Sequence, residues 1–298
     1  MKYLVLISTV LLLINGAQAE NVSTVQTKKN FSKDFIQASE NYSKKEYSKA
    51  YEIYKKVAEK GDVDSQFELA AMYHDGIGVQ KDIQKAIHWY QTAAKNKHAQ
   101  AQVELGILYL SGEEVTKDYE KAFMLFKQAT DEGNDRGYYF LGRIYWNGYG
   151  IQKDLKLASK YYKKAAKMGH KSAQYALASM YESGDGVPQD LSKAYALYEQ
   201  SADKISWSSY KLALAYLDGN DILKKDIVKG MNYLQKAVDE NDVLALTKMA
   251  KIKYHGLYNE KTDKEKAIEY FELATKEYED VFFHDNDLYQ ERLLVVHH

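Results

Sequence analysis

The stretch at residues 69–82 reads LAAMYHDGIGVQKD, and it returns as LGILYLSGEEVTKD at 105–118, LGRIYWNGYGIQKD at 141–154 and LASMYESGDGVPQD at 177–190. Each step is 36 residues. A fixed period of this size limits the fold more than any single motif does. A unit that short cannot bury its own apolar face, so it must stack on its neighbours. One proline, Pro188, in 298 residues leaves the chain almost free of its main helix breaker. The chain therefore reads as an all-α array of helical hairpins.

Within each unit the markers have separate physical jobs. Leu69, Leu105, Leu141, Leu177, Leu212 and Met249 recur on the first helix, helix A. Four residues on stand Tyr73, Tyr109, Tyr145, Tyr181 and Tyr216, with Lys253 breaking the series. An i, i+4 pair shares one helix face, so Leu and Tyr form the predicted buried stripe. Gly76, Gly112, Gly148, Gly184, Gly219 and Gly256 stop helix A, because glycine tolerates the left-handed conformation. Asp82, Asp118, Asp154, Asp190 and Asp226 stand just before the second helix, helix B, where a carboxylate accepts free backbone N–H groups. Helix B repeats a small residue, Ala86 in the first unit, followed three residues later by a bulky one: Trp89, Leu125, Tyr161, Leu197, Tyr233 and Tyr270. That bulky row is predicted to interlock with the neighbouring helices.

These markers place six repeats at 63–98, 99–134, 135–170, 171–205, 206–242 and 243–280, with loops altered in the last two. Residues 34–62 form one further hairpin, and 281–298 a helix that caps the open end. Residues 20–33 are polar and read as a mobile leader. Before them, Lys2, an apolar run at 3–14 and Ala17-Gln18-Ala19 have the order of a cleaved secretory signal at 1–19. The run of about twelve residues is too short for a bilayer core of about 30 Å, which disfavours the alternative of an uncleaved anchor. The protein is thus predicted to be exported, to the periplasm or beyond, with no membrane span after cleavage.

Residues 69–94, LAAMYHDGIGVQKDIQKAIHWYQTAA, resemble the Sel1-like repeat family, a relative of the tetratricopeptide repeats, and the resemblance covers about 63–280. Residues 46–62, EYSKAYEIYKKVAEKGD, are similar to the second half of a tetratricopeptide repeat. The resemblance implies a right-handed α/α superhelix, a solenoid, used as an adaptor or scaffold for other proteins. For secreted bacterial members it further implies roles in envelope regulation, motility or host-cell contact. A cysteine-rich subgroup binds or hydrolyses penicillins, which makes a β-lactamase or penicillin-binding protein one alternative; a structural subunit of an envelope complex is another.

The chemistry available is narrow. Without cysteine there is no disulfide, thiolate ligand or thiol nucleophile. A net charge of −1 gives no field that draws nucleic acid. The pairs Gly76-Ile77-Gly78 and Gly184-Asp185-Gly186 lack the strand and third glycine of a dinucleotide site, so they read as repeat loops. The recurring aspartates stand one per repeat, roughly 10 Å apart at ordinary helix spacing, too far to share one metal ion. Ser201 with Lys204 and Ser208 with Lys211 match S-x-x-K, but no S-D-N or K-T-G partner accompanies them and two chance matches are expected. No cofactor, metal or catalytic group is predicted.

One pattern survives as a candidate site. In tetratricopeptide-like stacks helix A lines the concave side, so residues opposite its Leu/Tyr stripe look into a groove. There stand Phe67 and His74, then Arg136, Tyr139, Arg143 and Trp146, then Tyr175 and Glu182, then Trp207, Tyr210 and Tyr254. Exposed aromatics interleaved with arginine are what peptide-recognition hot spots favour. The alternative is that tight winding buries them as core. The reading is a non-enzymatic scaffold that binds a protein or peptide on this face, with the oligomeric state open.

Overall fold

A computed structural model describes residues 32–281, and among them there are fourteen helices and no strand. The predicted signal segment, nearly all of the leader and the C-terminal capping helix lie outside the described residues. Contacts group the chain into two compact units: one up to Ile144 together with Tyr149–Ile151, the other formed by Tyr145–Gly148 and the chain from Gln152.

In the first unit α1 (Lys33–Ser43) pairs with α2 (Tyr47–Ala58), α3 (Val63–Asp75) with α4 (Ile83–Lys95), and α5 (Ala99–Ser111) with α6 (Tyr119–Asp131). Successive hairpins meet through α2 against α3 and α4 against α5. The helix α7 (Asp135–Asn147) follows. In the second unit α8 (Leu155–Lys167) packs on α9 (Lys171–Ser183), which pairs with α10 (Leu191–Ser201). The hairpins α11 (Ser206–Asp218) with α12 (Ile227–Asp239) and α13 (Val243–His255) with α14 (Lys264–Val281) complete it.

The helix boundaries follow the sequence markers. Each of Asp82, Asp118, Asp154, Asp190 and Asp226 accepts the backbone N–H three residues on, at 2.9–3.0 Å. Asp263 does the same for Lys266 at 2.9 Å. The same aspartates also donate their own N–H to a helix A carbonyl: Asp82 to Tyr73, Asp190 to Tyr181, and Asp263 to Lys253 at 2.8 Å. That bond uses only backbone, which is why Lys253 can replace tyrosine without loosening the loop. Gly76, Gly112, Gly184 and Gly256 end helix A in the left-handed conformation, whereas Gly219 has φ 75° and ψ 160°, consistent with its altered loop.

The core keeps the Leu stripe and corrects the helix B row. Leu69, Leu105, Leu141, Leu177, Leu212 and Met249 are buried, as are Tyr73, Tyr181 and Tyr216, while Tyr109 and Tyr145 are half-buried. In helix B the large residues buried deepest are Tyr90, Phe126, Tyr162, Tyr198, Leu234 and Phe271, four after the small residue and not three. Trp89 and its counterparts lie at the flank, half-buried. Both rows fall inside the apolar arc of a helix, and the lean of helix B on its neighbours decides which is central. The flank row still works: Tyr161 stacks on Tyr145 at 5.5 Å and Tyr233 on Tyr216 at 6.0 Å.

A second bond repeats between hairpins. Gln66, Gln102 and Gln174 donate Nε2–H to the carbonyls of Ala58, Ala94 and Ala166, the last turn of the preceding helix B. Tyr138 reaches Thr130 from the same position at 3.1 Å. Each of these last-turn carbonyls already accepts a backbone N–H three residues on and gains a second partner on the next hairpin. The signal was present as glutamine at matching register in three repeats.

Candidate helix A interface

The helix A residues opposite the buried stripe divide into three environments. The first is core. Phe67 is 6% exposed, stacked on the His98 ring at 4.7 Å and tilted against Tyr90. His98 is held there because its Nδ1 caps α5 by accepting from Ala101 N–H at 3.1 Å. Phe67 therefore offers no free face, contrary to the sequence expectation, because Tyr90 of helix B and His98, the N-cap of the next helix A, close over it. Val103 and Thr247, in corresponding places, are buried as well.

The second environment is charged and belongs to the first unit. Arg136 on α7 donates to the Glu104 carboxylate on α5. The Arg143 guanidinium lies 5.6 Å above the Phe140 ring, and half-buried Tyr139 beside it has its phenol pushed up by burial. Glu104, Arg136, Phe140 and Arg143 wall a cavity of about 550 Å³, together with Lys117 from the preceding loop and the stacked pair Tyr119 and Tyr149, 5.3 Å apart. A neighbouring cavity of about 290 Å³ shares Glu104, Ile107 and Ser111 and is lined further by His74, Glu113 and Glu114. His74 sits between Asp75 at 2.6 Å and Glu114 at 2.8 Å, and Lys81 reaches Glu114 at 2.6 Å. The hydrogen bond to Asp75, opposed by partial burial and helped by Glu114, raises the His74 pKa. Glu114 occupies the place of the second loop glycine, so this clamp is peculiar to the second repeat.

The third environment is aromatic and belongs to the second unit. Trp207, at the start of α11, is 50% exposed and meets the edge of Tyr175 at 6.3 Å. Tyr175 and Tyr210 are half-buried, and burial raises both phenols. Leu244, at the start of α13, is also exposed. Glu182 is already engaged, accepting from Tyr198 at 2.7 Å and pairing with Lys211 at 3.0 Å. Trp146 lies half-buried under the Lys153 ammonium at 5.5 Å, and Tyr254 under Lys264 at 5.1 Å.

The rival chemistries fare differently. Ser201 and Ser208 are fully buried and hydrogen-bonded to each other at 2.7 Å, while Lys211 pairs with Glu182. Neither serine is open to a substrate or placed against its lysine. The glycine loops are packing devices: a Cβ on Gly78 would lie 2.6 Å from the Tyr47 carbonyl carbon. Among the described residues no group of three His, Cys, Asp or Glu is arranged to hold a metal ion. No helix among the described residues is long and apolar enough to cross a membrane. One buried acid had no sequence signal. Glu68 is 5% exposed, and burial, then the charge of Asp64, push its carboxyl up to about 8.

The Sel1 repeat model matches residues 39–62, 63–98, 99–134, 135–170, 171–205, 208–242 and 243–277. A Sel1 repeat protein from Oxalobacter formigenes is similar in structure, with a TM-score of 0.77 and 25% identity over 82% of this chain and 99% of that one. A protective antigen of uropathogenic Escherichia coli strains displaying an SLR fold has a TM-score of 0.68 at 24% identity, covering 89% of this chain and 60% of that one. A search of the curated proteins finds no match.

Proposed function

This chain belongs to the Sel1 repeat family, whose members serve generally as protein–protein interaction scaffolds, and on that premise we propose that it is an exported scaffold holding a protein or peptide on the helix A side of its repeats. The observation that carries the reading is Trp207, half exposed beside Tyr175 and Tyr210. A tryptophan left open next to partly covered rings is a large apolar area without a structural duty, and such anchors dominate interface energies. In the second unit Trp146, Glu182, already tied to neighbours, and Tyr254 belong to the same reading; in the first unit Arg136, Tyr139 and Arg143 on α7, with His74 tied to Asp75 and Glu114, form a separate candidate stretch. Phe67 is left out, because it is buried.

Affinity capture with the full chain tests the proposal. A partner identified by mass spectrometry is to be recovered by the wild type and depleted at least about tenfold by Trp207→Ala with Tyr210→Ala, at unchanged helical melting. Equal recovery removes the helix A assignment. Export rests on the segment at 1–19 and is checked separately: the mature protein should begin at Glu20 in the extracytoplasmic fraction, and a chain retaining Met1 there overturns cleavage.

A further inference from the structure

We propose that the furrow between α4 and α6 receives an aromatic side chain from an extended segment of a protein partner, stacked on the uncovered face of Tyr109. The furrow lies between successive helices B of the first unit, so it goes beyond the helix A reading. Both helices pack on α5, and residues of all three line a cavity of about 740 Å³.

The repeats show what is missing there. Tyr73 meets the Tyr51 ring at 5.7 Å and the Lys85 ammonium at 5.3 Å. Tyr145 stacks on Tyr161, and Tyr216 stacks on Tyr233 with the Lys229 ammonium 4.1 Å from its centroid. Tyr181 carries two ammonium groups, Lys163 and Lys193, each at 5.4 Å. Tyr109 has a single such cover, Lys121 at 5.1 Å, among the described residues. Register explains the difference. Ile87 stands where Tyr51 does, 22 residues before the tyrosine, and Gln91 where Lys163 does, 18 before it. Leu125 stands where Tyr161 does, 16 residues after. All three line the furrow, and the place they leave open is one that a ring or a lysine fills in other repeats.

Charge selects a neutral occupant. In this cavity Lys95 and Lys97 are matched by Asp131 and Glu132, and Lys121 is held by Asp118 at 2.8 Å. An ion therefore meets no net field of either sign. A neutral ring gains apolar contact with Leu105 and Leu125 and a stacked or edge contact with Tyr109. A second cavity of about 570 Å³ shares Gln91, Tyr109 and Lys121 with the first. Tyr109 thus stands partway along one furrow, with space on either side for a chain to continue. That arrangement suits a side chain within an extended segment rather than an isolated aromatic molecule.

The test titrates the full chain by NMR with two acetylated, amidated peptides, Ser-Ala-Trp-Ala-Ser and Ser-Ala-Leu-Ala-Ser. The tryptophan peptide should bind about fivefold more tightly or better. Leu125→Tyr, which restores the ring that Tyr161 gives Tyr145, should bring that preference below about twofold at unchanged or raised melting. Gln91→Lys, a half-exposed position, should do the same by covering Tyr109 as Lys163 covers Tyr181, so the result does not hang on one variant folding. Equal affinity for the two peptides, or a preference kept in either folded variant, overturns the inference. The same titration in Trp207→Ala with Tyr210→Ala separates the two surfaces: a preference lost there belongs to the helix A surface and overturns the inference. N-acetyltryptophanamide that binds as tightly as the tryptophan peptide overturns the extended segment.

Discussion

The α-carbon of Gly186 stands so close to Leu155 that a Cβ there would lie 2.3 Å from the Leu155 carbonyl oxygen. Gly78 has the same relation to the Tyr47 carbonyl, and a Cβ on Gly150 would meet the Tyr119 Cβ, each at 2.6 Å. The second loop glycine is the point where a repeat's loop rests on the start of the preceding helix B. Its recurrence in the sequence is therefore a record of close contact between hairpins.

Gly186→Ala tests this against Gly169→Ala. Both residues have positive φ, +66° and +91°, but a Cβ on Gly169 meets nothing within 4 Å. Each substitution pays the left-handed strain of about 1 kcal/mol, and only Gly186→Ala adds overlap with backbone, for a further ~2 kcal/mol. Urea unfolding midpoints of the two variants measure the difference; equal losses would mean that the loop yields freely.

The glutamine bond between hairpins predicts a second loss. Gln102→Leu removes the donor to the Ala94 carbonyl, and Tyr138→Phe removes the donor to Thr130. Each should cost up to about 1 kcal/mol, the net worth of one hydrogen bond, since each carbonyl keeps a backbone N–H, from Lys97 and Gly133. Thermal melting that leaves either variant at the wild-type midpoint would show that water replaces the bond.

Glu68 sets a pH dependence. Its carboxyl is pushed up to about 8 by burial and by Asp64, and Tyr42 and Tyr54 stand near enough for its charge to raise their phenols. A folded pKa above the unfolded value of about 4.3 means that this site's contribution is whole below about pH 4.3 and declines as pH rises through about 8. Glu68→Gln removes the decline. Between about pH 5 and about pH 8.5 the variant should lose up to about 4 kcal/mol less stability than the wild type. Parallel pH profiles in denaturant titrations would show that Glu68 is solvated.

The serine pair predicts an absence of reactivity. With Ser201 and Ser208 buried against each other, a fluorescent penicillin should label neither the wild type nor Ser208→Ala. The variant should instead lose about 1 kcal/mol through the missing hydrogen bond. Labelling that disappears in Ser208→Ala would reinstate the acyl-enzyme alternative.

Much of the fold was legible because its signals are local and repeated. Leu69, Gly76 and Asp82 each act within a turn or two of their own position, and a 36-residue period carries those acts along the chain. The candidate site was legible only in part. Arg136 and Arg143 were marked by their register on helix A. Lys117, Tyr119 and Tyr149, which complete their cavity, lie in other elements and carry no periodic sign. Phe67 held the register of an exposed residue and is core, because His98, the N-cap of the next helix A, stacks on it.

What the sequence alone determined is the hairpin: where each helix starts, where it stops, and which stripe of helix A it buries. These depend on backbone caps and i, i+4 spacing, which are properties of a single chain segment. Tertiary structure alone decided which helix B row is central, Tyr90 in place of Trp89, and which helix A side chains stay open, Trp207 but not Phe67. Those outcomes depend on how closely one hairpin leans on the next, and a lean of a few ångströms between neighbours is set by side-chain packing across the repeat boundary.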